Sequence, residues 1–200
     1  MVKAGSVSTQ PKTYLTPEEY LEIERKAEFK SEYHKGEMFP LGGRNMAGAK
    51  EGHNLLVAQT VGELAQQFRR RPCRVYPSDM RVQIKSAEFV YPDVVAVCGE
   101  PQFVDAQRDT LLNPTLLVEV LSPSTEAYDR GRKFEYYKSI ESLREYLLLA
   151  PDRVHADLYT RQNDGRWLLT SADNPDDIVT LESVGARLTL ADLYEKVELK

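Results

Sequence analysis

The chain has 200 residues, 42% of them hydrophobic, enough to bury one sizeable core and in keeping with one domain rather than two. With 26 Lys and Arg against 31 Asp and Glu its net charge is −5, which argues against a simple nucleic-acid binder and shifts attention to local charge clusters. No run approaches the roughly 18 apolar residues of a membrane span, and Met1 to Thr13 lacks the apolar centre of a signal peptide, so a cytoplasmic protein with no membrane partner is expected.

Residues 1–13 read as a disordered leader and 14–200 as a single domain. Thr16-Pro17-Glu18-Glu19 supplies an N-cap, a proline at the first helical position and acids in the first turn, which predicts a helix from Pro17 to about Glu28. Glu32 to Pro40 predicts a short strand turning through Gly36, and Gly42-Gly43 a loop. From Gly52 to Arg70, Val57, Val61, Leu64, Ala65 and Phe68 recur at helical spacing and predict an amphipathic helix. The following Arg69-Arg70-Arg71 reads as a solvated face. Cys73 and Cys98 are too few for a disulfide framework and form no CxxC pair, so they are expected as reduced structural thiols, with no zinc site.

Four strands are predicted next: part of Arg74 to Ile84, Phe89 to Val97, Thr115 to Leu121, and Glu145 to Leu149. A helix from Asp129, its expected N-cap, to Ser139 separates the last two. Val154 to Thr160 and Arg166 to Thr170, joined by Asn163-Asp164-Gly165, predict a terminal hairpin with Trp167 as its anchor. Leu188 to Lys196 predicts a short closing helix.

The chemistry concentrates in two of these strands. Asp93 stands in Tyr-Pro-Asp-Val-Val-Ala-Val and Glu119 in Leu-Leu-Val-Glu-Val, apolar β-branched runs in which an unpaired carboxylate would cost several kcal/mol. A shared divalent metal offsets that cost, because Mg²⁺ takes one or two protein carboxylates and leaves other positions to water and phosphate. Lys133, Tyr137 and Ile140 fall at i, i+4 and i+7, so the lysine is expected to face inward, where it could stabilise charge developing on a phosphate. Otherwise its stem packs on the core while its ammonium reaches solvent. Tyr137 could bond a phosphate or fill the core. His53, at the start of the long helix, could meet a phosphate, act as a base or bond the backbone. Ser122, Ser124 and Thr125 have no histidine in a triad-like context and read as a capped turn.

Pro92-Asp93, then Glu119 in Val-Glu-Val-Leu-Ser-Pro-Ser-Thr, then Asp129-Arg130 with Lys133 and Tyr136-Tyr137, resemble the Uma-two family, a branch of the PD-(D/E)XK nuclease superfamily. The resemblance runs from about Tyr14 to Thr160. It implies an α/β (α+β) fold: a restriction-endonuclease-like core with a mixed central β-sheet flanked by helices, and a C-terminal β-hairpin extension. It also implies a metal-dependent endonuclease acting on DNA, with Asp93 and Glu119 as ligands of Mg²⁺ or Mn²⁺. The superfamily's lysine usually follows the second acid by two residues, where this chain has Leu121, so Lys133 would be a migrated lysine entering from the following helix. Glu32, in Ser-Glu-Tyr-His-Lys-Gly-Glu, resembles the family's early acid and could be an accessory carboxylate or an exposed acid paired with a lysine. Asp79 reads as a turn residue, although the resemblance places an acid there near the site. A homodimer is expected, since cutting two strands takes two sites. Two other readings stand beside this one: a catalytically inactive nuclease fold serving as a DNA-binding or dimeric interaction module, and a hydrolase of small phosphate esters.

Overall fold

The protein is described by a computed structural model covering residues 14–41, 50–85, 88–123 and 125–199. The expected leader, the Gly42-Gly43 loop and Ser124 lie outside these described residues. Helix α1 (Pro17–Glu24) opens with the full capping box: the Glu19 amide donates to Thr16 Oγ1 at 3.2 Å, and the Thr16 amide donates to Glu19 Oε2 at 2.7 Å. It stops four residues before its predicted end. The Glu24 carboxylate accepts the Ser31 amide at 2.8 Å and turns the chain, while Arg25 leaves the helix to pair with Asp105 and Asp109.

Strands β1 (Ser31–His34) and β2 (Glu37–Pro40) form a hairpin whose two turn residues, Lys35 and Gly36, have φ of 47° and 90°. A Cβ on Gly36 would also fall 2.8 Å from the Tyr14 ring. Helix α2 (Glu51–Phe68) matches its prediction in extent, but its buried face is Leu56, Thr60, Leu64 and Phe68. Val57 and Val61 flank that face and Ala65 is exposed.

Strands β3 (Cys73–Pro77) and β4 (Arg81–Lys85) share one predicted stretch, as do β5 (Glu88–Val90) and β6 (Val94–Cys98). In each case a break sends the two halves to different sheets, so Asp93 stands at the entry to β6 rather than inside a continuous strand. Next come β7 (Thr110–Leu111), β8 (Leu116–Val120), β9 (Glu145–Leu149), β10 (Ala156–Arg161), β11 (Trp167–Ala172), β12 (Ile178–Leu181) and β13 (Ala186–Thr189). The main sheet runs β11-β10-β9-β8-β6-β3, with only β8 and β9 parallel. The second sheet runs β2-β1-β5-β4-β7, with β4 and β7 parallel, and β12-β13 forms a third. The expected hairpin is therefore an extension of the main sheet through β9, and Gly165 closes its turn at φ 82°.

Side-chain parity divides the core. Val94, Ala96, Leu116, Val118, Leu147 and Leu149 face α2, while Val95, Val97, Leu117, Leu121, Tyr146 and Leu148 face the other way. That second face meets the second sheet and the segment after β8, which is helical as α3 (Glu126–Tyr128), a π turn (Asp129–Lys133) and α4 (Phe134–Tyr137). Asp129 is thus not an N-cap: the helix begins earlier and carries it to the interior, 3% exposed. Only Leu190–Leu193 of the predicted closing helix is helical (α5), because Ala186 to Thr189 pairs with β12.

One expectation fails outright. Cys73 is the register partner of Cys98, with Cα atoms 4.0 Å apart, and their sulfurs form a disulfide between β3 and β6. Antiparallel pairing brings together two thiols whose sequence spacing carries no motif. Among the described residues, no helix is long and apolar enough to cross a membrane.

Candidate active site

The register of β6 and β8 sets up the site. Val94 pairs with Val118, so one step further along the ladder Asp93 comes opposite Glu119, and parity turns both toward the second face. Asp93 Oδ2 accepts the Val120 amide at 2.8 Å, which fixes its carboxylate across the strand end. Glu119 lies deeper, with its side chain 5% exposed against 18% for Asp93.

The helical segment supplies the cation. Lys133 is 6% exposed, and its Nζ lies 2.7 Å from Glu119 Oε1, 3.6 Å from Asp129 Oδ1 and 3.9 Å from Glu32 Oε1. Tyr137, one turn on, donates its hydroxyl to the same Glu119 oxygen at 2.7 Å. The π turn places Asp129 and Lys133 inward together, and Tyr146 donates its hydroxyl to the Asp129 carbonyl at 3.2 Å. Glu32 arrives from β1 of the second sheet, near the Tyr91 backbone and Tyr128, which favour its charged form. Two sheets and one helix therefore converge on a single ammonium.

The electrostatics follow from burial. Desolvation pushes the Glu119 carboxyl up to about 8, with Asp93 and Asp129 adding to the rise and Lys133 opposing it. Burial likewise raises Glu32 and Asp129 against the pull of Lys133. For Lys133 burial works against the charged form, but Glu119, Glu32 and Asp129 more than reverse it and hold the ammonium protonated. The cluster carries more acid than its one lysine neutralises.

That surplus suits a hard cation. Asp93 and Glu119 offer oxygen donors only, two carboxylates being what Mg²⁺ commonly takes from protein, and the more open Asp93 leaves a side from which an ion could enter. Among the described residues no group of three or more His, Cys, Asp or Glu side chains is arranged to hold a metal. Two carboxylate donors would leave most of such an ion's shell to water and substrate.

The remaining candidates separate. His53 Nε2 lies 3.3 Å from Asp93 Oδ2, while its buried Nδ1 has no hydrogen-bond partner among the described residues. The Asp79 side chain is 87% exposed and pairs with Lys30 at 3.0 Å. Sequence reasoning missed two members. Asp129 could have been found from its place one turn before Lys133 on the stripe leading to Tyr137, whereas Tyr128, which lies near Glu32, left no signal because Glu32 comes from the second sheet.

Comparison with known proteins gives the family and the fold. The family model described as "Uma2: Putative restriction endonuclease" matches residues 17–191. Two proteins of Synechocystis sp. (strain ATCC 27184 / PCC 6803 / Kazusa) are similar, both described as uncharacterized. The protein sll1609 is 38% identical over 78% of this chain and 86% of its own length, and slr1290 is 35% identical over 90% and 91%. In fold, the chain is similar to the crystal structure of a "putative nuclease belonging to DUF820" from Anabaena variabilis ATCC 29413. The TM-score is 0.71 at 19% identity, covering 90% of this chain and 97% of that one. The mixed α/β architecture with its extended C-terminal hairpin is thus that of a known nuclease-like structure, and the chain belongs to the Uma2 family.

Proposed function

We propose that the protein is a metal-dependent endonuclease that hydrolyses phosphodiester bonds of DNA, working with Mg²⁺ or Mn²⁺ and as a homodimer. The observation that carries this reading is the convergence of Asp93, Glu119 and Glu32 with the buried Lys133, whose ammonium lies 2.7 Å from Glu119. Asp93 and Glu119 would hold the ion, which when bound supplies Lewis-acid activation of the phosphate and a more acidic water. Lys133 stabilises negative charge on the phosphate oxygens as the bond breaks, and its protonation makes it a fixed cation at neutral pH. Tyr137 and His53 are positioning residues, orienting Glu119 and Asp93 respectively. Glu32 is the accessory acid, placed to orient a water or the ammonium.

Nicking of supercoiled plasmid in Mg²⁺, Mn²⁺ or chelator tests this, with Asp93→Ala, Glu119→Ala and Lys133→Ala beside the parent. Metal-dependent cutting lost in all three variants is expected. Cutting that survives in Asp93→Ala would sink the assignment. A second reading draws on the directness of the Lys133–Glu119 pair, since a lysine that neutralises the acids by itself suits a non-catalytic DNA-binding or dimeric module. Absence of any metal effect on stability would favour it.

A further inference from the structure

Beside Glu32 a cavity of about 280 Å³ opens between the second sheet and the helical segment. Its walls include Glu32, His34, Phe39, Tyr128, Arg132 and Tyr136, and its size lies near the lower end for small-molecule sites. Glu32 and Tyr128 belong both to this cavity and to the acid cluster, so the two spaces are contiguous.

A chain of hydrogen bonds fixes the groups on one wall. Glu88 Oε1 lies 3.1 Å from His34 Nδ1, and Tyr136 Oη lies 3.0 Å from His34 Nε2 and 2.6 Å from Arg132 Nε. With its Nδ1 proton held by Glu88, neutral His34 accepts from the Tyr136 hydroxyl, whose oxygen accepts from Arg132. Burial favours that neutral ring by lowering its pKa. The His34 and Tyr136 rings pack with centroids 4.8 Å apart. Arg132 is therefore anchored through Nε, and among the described residues its two terminal nitrogens have no hydrogen-bond or ion-pair partner. Arg130 and Lys138, on the same helical segment, are committed to Asp157 with Glu126 and to Glu135. Phe39, the register partner of Glu32 on the sheet side of the cavity, is 47% exposed.

We propose that this cavity is a subsite for one nucleotide of the DNA strand, with the free fork of Arg132 on the phosphate neighbouring the scissile one and the base against Phe39 and Tyr136. The inference rests on the reading of Asp93, Glu119 and Lys133 as the nuclease centre. Arg132 and Lys133 are consecutive, one facing the cavity and the other the acids, so a backbone whose scissile phosphate meets Lys133 passes Arg132 next. A guanidinium anchored at Nε presents its remaining donors in the geometry that phosphate accepts bidentately. The aromatic walls offer stacking, which every base satisfies, and the polar atoms of His34 and Tyr136 are already engaged with each other. The subsite should therefore recognise that a base is present without reading which one it is.

The test is fluorescence anisotropy with a labelled DNA single strand of about 12 nucleotides in EDTA, beside an abasic strand of the same length. Melting temperatures confirm that each variant is folded. Arg132→Ala should weaken binding roughly tenfold and reduce the salt slope by about one. Tyr136→Phe, which keeps the ring but frees the guanidinium, should fall between the two. Phe39→Ala should weaken binding of the base-bearing strand roughly tenfold and leave the abasic strand unchanged. Equal binding by parent and Arg132→Ala, or no binding by the parent, overturns the subsite. If Arg132→Ala loses binding while the parent never cleaves in Mg²⁺, the nuclease reading falls and the subsite stands. If the parent cleaves and Arg132→Ala keeps its KM, the subsite falls and the nuclease reading stands.

Discussion

Lys133 Nζ lies 2.7 Å from Glu119 Oε1, joining the helical segment that follows β8 to the C-terminal end of that strand. Both side chains are less than one-tenth exposed, at 8% and 5%. The contact comes from the helical segment, while position 121, two residues after Glu119 on the strand side, holds a leucine. Leu121 is 2% exposed in the core.

A pair so buried is costly to break. Lys133→Ala leaves Glu119, Asp129 and Glu32 facing one another without a cation, and removal of one partner from a buried ion pair typically costs about 3–5 kcal/mol. Urea titration of the metal-free protein should show that loss. Adding Glu119→Gln to Lys133→Ala should restore much of it, because one of the stranded charges is gone. Independent, additive effects of the two substitutions would mean that the residues do not interact in solution.

The His155 ring provides a pH marker of the fold. Its Nδ1 lies 2.6 Å from Asp173 and its Nε2 3.0 Å from Asp157, which also binds Arg130. Burial disfavours the charged ring, but the bonds to Asp173 and Asp157 outweigh it and raise the pKa above the ordinary 6.5. A histidine raised on folding stabilises fully below its unfolded pKa and loses that contribution as pH rises through the folded value. The melting-temperature gap between parent and His155→Gln should therefore be widest below about pH 6 and close above that folded value. A gap independent of pH would show that the ring is not protonated between its two acids.

Reduction should loosen the main sheet. The Cys73–Cys98 disulfide closes a loop with a sequence separation of 25 residues, for which the chain-entropy model gives about 3–4 kcal/mol. Dithiothreitol should lower the melting temperature of the parent and leave Cys73→Ser/Cys98→Ser unaffected. Two titratable thiols in the untreated, denatured parent would show that the bridge had not formed.

The bridge also marks the limit of what the sequence discloses. Asp93, Glu119 and the inward stripe of Lys133, Tyr137 and Ile140 were readable because each depends on local pattern: an acid in an apolar run, or helical spacing. What could not be read is what only chain pairing decides. The Cys73–Cys98 match needs the register of β3 on β6, and the approach of Glu32 to Lys133 needs the second sheet to meet the helical segment. Asp129 misled for a local reason. An acid at the start of a helical pattern looks like a cap, yet Glu126 begins the helix and the π turn rotates Asp129 inward. Pro92 gave a warning that β5 and β6 part company before Asp93. The β12-β13 pair was also visible in principle, since Val179 and Leu181 are buried while Ile178 and Thr180 are exposed, the alternation of a half-buried strand.

Metal dependence of stability separates the two functional readings without any cleavage assay. If Asp93 and Glu119 hold a divalent ion, Mg²⁺ at about 100 times its Kd should stabilise the folded protein by about 2.7 kcal/mol, since the unfolded chain has no such site. For a chain of this size that is roughly a 5–10 °C rise in melting temperature over the chelator control. Asp93→Ala should abolish the rise, because the more exposed acid of the pair is gone, while Asp79→Ala should retain it, because Asp79 lies at the surface against Lys30. A rise that persists in Asp93→Ala places the ion elsewhere. No rise in the parent leaves Lys133 as the sole counter-charge of the acid cluster and moves the assignment to the non-catalytic module.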